Sequence, residues 1–156
     1  MRGMKARWCV LLVAASVAMA CLLADARPAT LETGHEACGY CRMVISDARL
    51  ASQIVVPYEE PKFFDDLGCL TKHLERNRPL PDAARIYVAD HRTKVWVLAD
   101  NAVYTEVPAI SAPMGSHYMA HESGASRSAD PDAAGGGPAV DSTRVFGGRS
   151  SDGDRQ

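Results

Sequence analysis

Lys62-Phe63-Phe64-Asp65-Asp66-Leu67-Gly68-Cys69-Leu70-Thr71-Lys72-His73-Leu74 passes from a strand through a cap into a helix. Lys62 to Phe64 follows the turn chemistry of Tyr58-Glu59-Glu60-Pro61 and reads as a returning strand. Asp65-Asp66 supplies a helix N-cap, and is better explained that way than as an acid/base pair because no nucleophile stands beside it. Leu67, Leu70 and Leu74 then fall at i, i+3 and i+7, one apolar stripe of a helix that Pro79 and Pro81 stop near Asn77. Upstream, Leu50 to Val56 ends in β-branched residues and is closed by Pro57, so it forms the partner strand. Downstream, Arg85 to Ala89 and Val95 to Leu98 read as strands around Asp90-His91-Arg92-Thr93, and Val103 to Val107 as one more. The predicted fold class is α+β: a small, mainly antiparallel sheet with one clear helix, built on a ββαβ-type unit.

Both ends of the chain differ in character from this unit. Glu122 to Gln156 holds seven of the twelve glycines among many Ser, Asp and Arg residues. Residues 122–156 are therefore expected to be a low-complexity, disordered C-terminal tail, apart from a short piece near Val145-Phe146. Residues 21–36, with Pro28 and Gly34, read as a linker, which leaves 37–121 as the folded domain. At the N-terminus Arg2, Lys5 and Arg7 precede an uncharged run from Trp8 to Ala24. With Ala18-Met19-Ala20-Cys21 at its end, 1–20 reads as a lipoprotein-like signal peptide and Cys21 as its lipidation site. Cleavage after Ala20 or Ala26 without lipid, or an uncleaved helix, are the alternatives. All three place the domain outside the cytoplasm: in the cell envelope facing the periplasm when lipid on Cys21 anchors it, or secreted when cleavage falls elsewhere. Without the three basic residues before Cys21, 14 basic and 19 acidic residues remain, a net charge of −5. That balance excludes a phosphate-neutralising surface, so no nucleic-acid partner is expected.

Five cysteines are present, of which Cys9 lies in the signal and Cys21 is lipidated or removed. Cys38, Cys41 and Cys69 remain, an odd number for a structural disulfide framework. Cys38-Gly39-Tyr40-Cys41-Arg42-Met43 joins a C-x-x-C to a thioether, and soft sulfur donors favour Cu(I). A structural zinc site would need a second pair of ligands, and a thioredoxin-like centre a preceding strand and a following helix; neither is present. On an extended segment Cys41 and Met43 would project to the same side and could hold one ion. Cys38 is either a third ligand or the redox partner that protects Cys41. Cys69, between Leu67 and Leu70, is expected as a small core residue, its thiol pKa lowered by the helix dipole. Met114, His117 and Met119 crowd one stretch, with His121 next, and can either complete a copper site or fill core gaps. His35 is a weaker candidate, and His73 and His91 are expected at the surface.

Four blocks of this chain resemble the NosL-type accessory proteins of nitrous oxide reductase. They are Cys38-x-x-Cys41-x-Met43-Val44-Ile45-Ser46-Asp47, Phe63-Phe64-Asp65-Asp66-Leu67-Gly68-Cys69-Leu70, Ile86-Tyr87-Val88-Ala89-Asp90 and Ala112-Pro113-Met114-Gly115. The resemblance implies an envelope lipoprotein, not an enzyme, that binds one Cu(I) and helps supply copper to nitrous oxide reductase. It makes Cys41 and Met43 the leading ligands and places Met114 in a family block; Cys38 and His117 stay candidates on the residues alone. It implies a membrane copper donor, a copper-receiving enzyme and a membrane contact through the lipid on Cys21. Arg42 departs from the pattern, standing where many members carry Gly. The rival reading, from another class, is a periplasmic thiol–disulfide protein using the Cys38/Cys41 pair.

Overall fold

A computed structural model describes residues 26–147; the expected signal peptide and Cys21 lie outside the described residues. Four strands form the first sheet: β1 (Ser52–Val55), β2 (Lys62–Phe64), β3 (Arg85–Ala89) and β4 (Trp96–Leu98). Their spatial order is β2-β1-β3-β4 and every pairing is antiparallel. Between β2 and β3 runs α1 (Leu67–Arg76), capped by the Asp66 side chain and ended at Asn77. The fold class read from the sequence is the one observed, with helix and strands where periodicity placed them. α1 buries Leu67, Leu70 and Leu74, the stripe read from the sequence, and Cys69 with them. These join Ile54, Phe64, Val88 and Tyr104 in one hydrophobic cluster.

All four residues of β1 are buried, because both faces of this central strand are covered. Gln53 lies opposite Tyr87 on β3, so the two share a face, and that face is covered by the chain's own beginning. The Gln53 amide accepts from Ala29 N–H (2.8 Å) and donates to Ala29 C=O (3.0 Å). The Tyr87 hydroxyl donates to the Ala26 carbonyl at 2.7 Å. The described part of the expected linker is thus laid against the sheet. Gln53 is the reason: a buried amide needs both a donor and an acceptor, and an extended backbone supplies the pair.

A second, three-stranded antiparallel sheet has the order β6-β5-β7. It consists of β5 (Val103–Glu106), β6 (Tyr118–His121) and β7 (Ala139–Val140). The expected last strand therefore starts a new sheet instead of extending the first. Much of the expected tail belongs to this unit, which corrects the domain boundary at 121. α2 (Gly124–Ser128) is capped by Ser123, a 3₁₀ turn (Pro131–Ala133) by Asp130, and α3 (Ser142–Phe146) by Asp141. The Ser and Asp residues that suggested disorder are caps, and Phe146 anchors the segment edge-on against Tyr104 at 5.6 Å between ring centroids.

Glycine composition misled for a second reason. A Cβ at Gly136 would stand 2.5 Å from Thr105 Cγ2 and 2.9 Å from Val107 Cγ2, whereas one at Gly135 meets nothing within 4 Å. Gly136→Ala is therefore expected to destabilise by ~1–3 kcal/mol through overpacking against β5. Gly135→Ala should stay within about 0.5 kcal/mol. Urea unfolding of the two variants checks this, and equal midpoints would contradict the docking of this segment.

Candidate metal centre

The C-x-x-C lies on a loop closed by a β-bridge between Ala37 and Val44. Within it Arg42 N–H donates to Cys38 C=O (3.1 Å) and Cys38 N–H to Met43 C=O (2.8 Å). Arg42 adopts φ 68°, the left-handed region in which glycine is at ease. Cys38 to Cys41 is thus a turn and not an extended segment, and the period-two argument that put Cys41 and Met43 on one side does not apply. Met43 is 48% exposed, next to exposed Val44. The loop is pinned to β2 by Gly39 N–H donating to Phe63 C=O at 2.7 Å. A side chain at Gly39 would meet Phe64 Cε1 at 3.2 Å, so the residue lets the loop approach that closely.

β2 leads directly into the cap of α1, and the third thiol arrives from there. Asp66 Oδ1 accepts from Cys69 N–H at 2.7 Å, fixing Cys69 in the first helical turn. The sulfurs of Cys38, Cys41 and Cys69 lie within 4.8 Å of one another, and all three cysteines are free thiols. Cys38 and Cys69 are fully buried, while Cys41 is half-buried and gives the cluster its open side. The sequence reading had Cys69 in the core, which is right for its burial and incomplete for its role. No spacing rule links it to the C-x-x-C; the signal was its position just after a cap that follows a strand.

The three thiols share little negative charge. Burial is the largest influence on Cys38 and opposes its ionisation. The backbone N–H groups of Tyr40, Cys41 and Asp65, with the Cys41 thiol, outweigh it and hold Cys38 below the ordinary thiol value. Burial pushes Cys41 up, assisted by the neighbouring Cys38 thiol against the Met43 backbone. Burial, then Cys38, pushes Cys69 up as well, so the helix dipole expected to activate Cys69 is overcome. Cys38 is thus the most readily ionised of the three, and a soft cation that replaces the thiol protons gains thiolate ligands.

The methionine and histidine candidates fall into separate places. Met114 N–H donates to Asp66 Oδ2 at 2.8 Å, so the carboxylate that caps Cys69 also holds the Met114 loop. Gly115 follows with φ +70°. Met114, 39% exposed, and exposed His117 line an open groove of about 310 Å³ beside Gly68 and Thr71 of α1. Met119 faces a different cavity, with His91, and His121 is buried away from that groove. His35 is exposed. His73, expected at the surface, is half-buried with its ring 4.9 Å from that of Phe64. His91, also expected at the surface, is only 3% exposed.

The NosL family model matches residues 28–137, which takes in both sheets and the thiol cluster. The chain belongs to the NosL family. Comparisons with curated proteins and with solved structures returned no match. Membership gives this NosL protein a copper-related accessory role, and its three-sulfur cluster is chemically suited to holding a metal. The match ends beyond residue 121, in agreement with the folded boundary seen in the second sheet.

Proposed function

We propose that this NosL protein is a Cu(I) carrier of the cell envelope, not an enzyme, tethered by lipid on Cys21. It takes the ion from a membrane donor and passes it to nitrous oxide reductase or a similar copper enzyme. The observation that carries the reading is the convergence of three sulfurs on one point with a single accessible member. Cu(I) is satisfied by two or three soft donors, so Cys41, Cys38 and Cys69 can hold it together, with the open side at Cys41 left for an incoming ligand. The Cys41 side is where ligand exchange begins and ends. Met43 and Met114, both part-exposed, are suited to join as thioether ligands during transfer, and His117 borders the same helix end. The thiol–disulfide alternative fits less well: Cys38, the thiol most readily ionised, is buried, and the reachable Cys41 is the one whose ionisation is suppressed.

Anaerobic Cu(I) titration of the reduced protein against a colorimetric chelator tests this. One equivalent is expected, with retention weakened by about a hundredfold or more in Cys41→Ser and transfer slowed in Met43→Leu and Met114→Leu. Failure of the reduced protein to compete with the chelator would reject the reading. Undiminished binding in Cys41→Ser would do so too.

A further inference from the structure

At the end of the first sheet where β2 runs into the thiol site, β3 runs into a second cluster. β1 lies between them, so the two exits are about 10 Å apart across the strands. His91 follows β3, His121 ends β6 and Asp130 caps the 3₁₀ turn. A backbone hydrogen bond from His91 N–H to Ala120 C=O (2.8 Å) locks the first of these to the second sheet. His91 Nδ1 stands 2.7 Å and His121 Nε2 3.0 Å from the same oxygen, Asp130 Oδ2. The three residues are 3%, 0% and 5% exposed, which makes this an interior site.

We propose that His91, His121 and Asp130 form a second metal site, separate from the thiols, for a borderline divalent cation such as Zn(II). Two imidazole nitrogens and one carboxylate oxygen are the donor set such ions prefer, and three protein ligands leave a fourth position for water. The ligand atoms already lie within 4.8 Å of one another. Tetrahedral bonds of 2.0–2.1 Å put donors about 3.3 Å apart, so the two nitrogen–oxygen contacts need to open by only a few tenths of an ångström. Asp130 is held in place by Asp132 N–H, which donates to Oδ1 at 3.0 Å.

Two further observations bear on how an ion would sit in this cluster and reach it. Nδ1 of His121 is buried without a hydrogen-bond partner, so the ring is held by hydrogen bonding through Nε2 alone, the nitrogen that faces Asp130 and would bind the ion. His91 also lines an open cavity of about 320 Å³ with Asp47, Arg49, Met119 and Asp132, so the cluster is reached from solvent, past carboxylates that Arg49 pairs at 2.7 and 3.5 Å.

Co(II) reports the donor set directly, because thiolate ligation adds an intense near-ultraviolet charge-transfer band that nitrogen and oxygen donors do not. Anaerobic titration of the reduced protein with Co(II), then displacement by Zn(II), is expected to give one equivalent with visible ligand-field bands and no such charge transfer. That component should persist in Cys41→Ser and weaken by more than about tenfold in His121→Ala and Asp130→Asn. Hyperfine-shifted imidazole N–H resonances in the Co(II)-loaded wild-type protein are a second readout that needs no variant to fold. The proposal is overturned if no Co(II) is taken up, if all bound Co(II) carries thiolate charge transfer, or if folded His121→Ala and Asp130→Asn bind as wild type. Because Cys41→Ser leaves this cluster intact, loss of the copper reading and loss of this one are distinguishable.

Discussion

Cys69→Ala is expected to weaken Cu(I) retention by at least about a hundredfold, since removing a direct ligand exceeds the ten- to hundredfold effect of disturbing an outer partner. Cys69 is fully buried within 4.8 Å of the other two sulfurs, and its backbone is fixed by Asp66. The substitution leaves the cap intact, because Asp66 accepts from the backbone N–H and not from the thiol. The stability loss should therefore be that of a small cavity, ~1–2 kcal/mol. Affinity and stability thus part company in this variant. Chelator competition against urea unfolding measures both, and an affinity that falls no more than the stability does would make Cys69 a core residue only. Proton release adds a check: burial keeps Cys41 and Cys69 protonated, so Cu(I) must displace those protons and its apparent affinity should rise with pH through neutrality.

The second large effect concerns Asp90, which joins the two sheets. Its Oδ1 accepts from Arg92 N–H (3.0 Å) and Thr93 N–H (2.8 Å), forming the β3–β4 turn. Its Oδ2 accepts from Glu122 N–H (2.8 Å) and the Ser126 hydroxyl (2.6 Å), at the start of α2. The carboxylate is fully buried. Asp90→Ala abandons these donors in the interior and is expected to cost ~3–5 kcal/mol, enough to loosen the segment after β6. Burial taken alone would raise the Asp90 pKa, but the four donors dominate and bring it to about 2. A carboxyl depressed in the folded state stabilises above its unfolded pKa, and that contribution fades as pH falls towards the folded value. Wild type should accordingly lose ~2 kcal/mol relative to Asp90→Asn between about pH 5 and pH 2. Parallel wild-type and variant curves over this range would refute the assignment, because Asp47 and Asp130 titrate in both proteins.

The first sheet and its helix were legible because their information is local. Leu67, Leu70 and Leu74 repeat at helical spacing, Asp66 caps, and Pro57 and Pro79 punctuate. The second sheet was harder. β6 and β7 are short, and β7 reaches β5 only across a polar stretch whose glycines give close approach and whose serines and aspartates cap. Composition scores those residues as unstructured, while their work depends on what lies opposite. His91 shows the same limit: Asp90-His91-Arg92-Thr93 reads as an exposed turn until the second sheet covers it. At the candidate metal centre, the C-x-x-C was plain in the sequence, and the period-two argument for Met43 fails because Arg42 turns the chain between it and Cys41. Cys69 comes into play only through the fold, carried to the other thiols as β2 passes into α1.

Asp66 holds the first turn of α1 with one oxygen and the Met114 loop with the other. Fraying of that turn and release of that loop are then a single opening event with one free energy, and neither can breathe alone without stranding the carboxylate. Any tightening at Cys69 quiets the Met114 loop as well, so a docking protein would meet a stiffer surface on a loaded carrier than on an empty one.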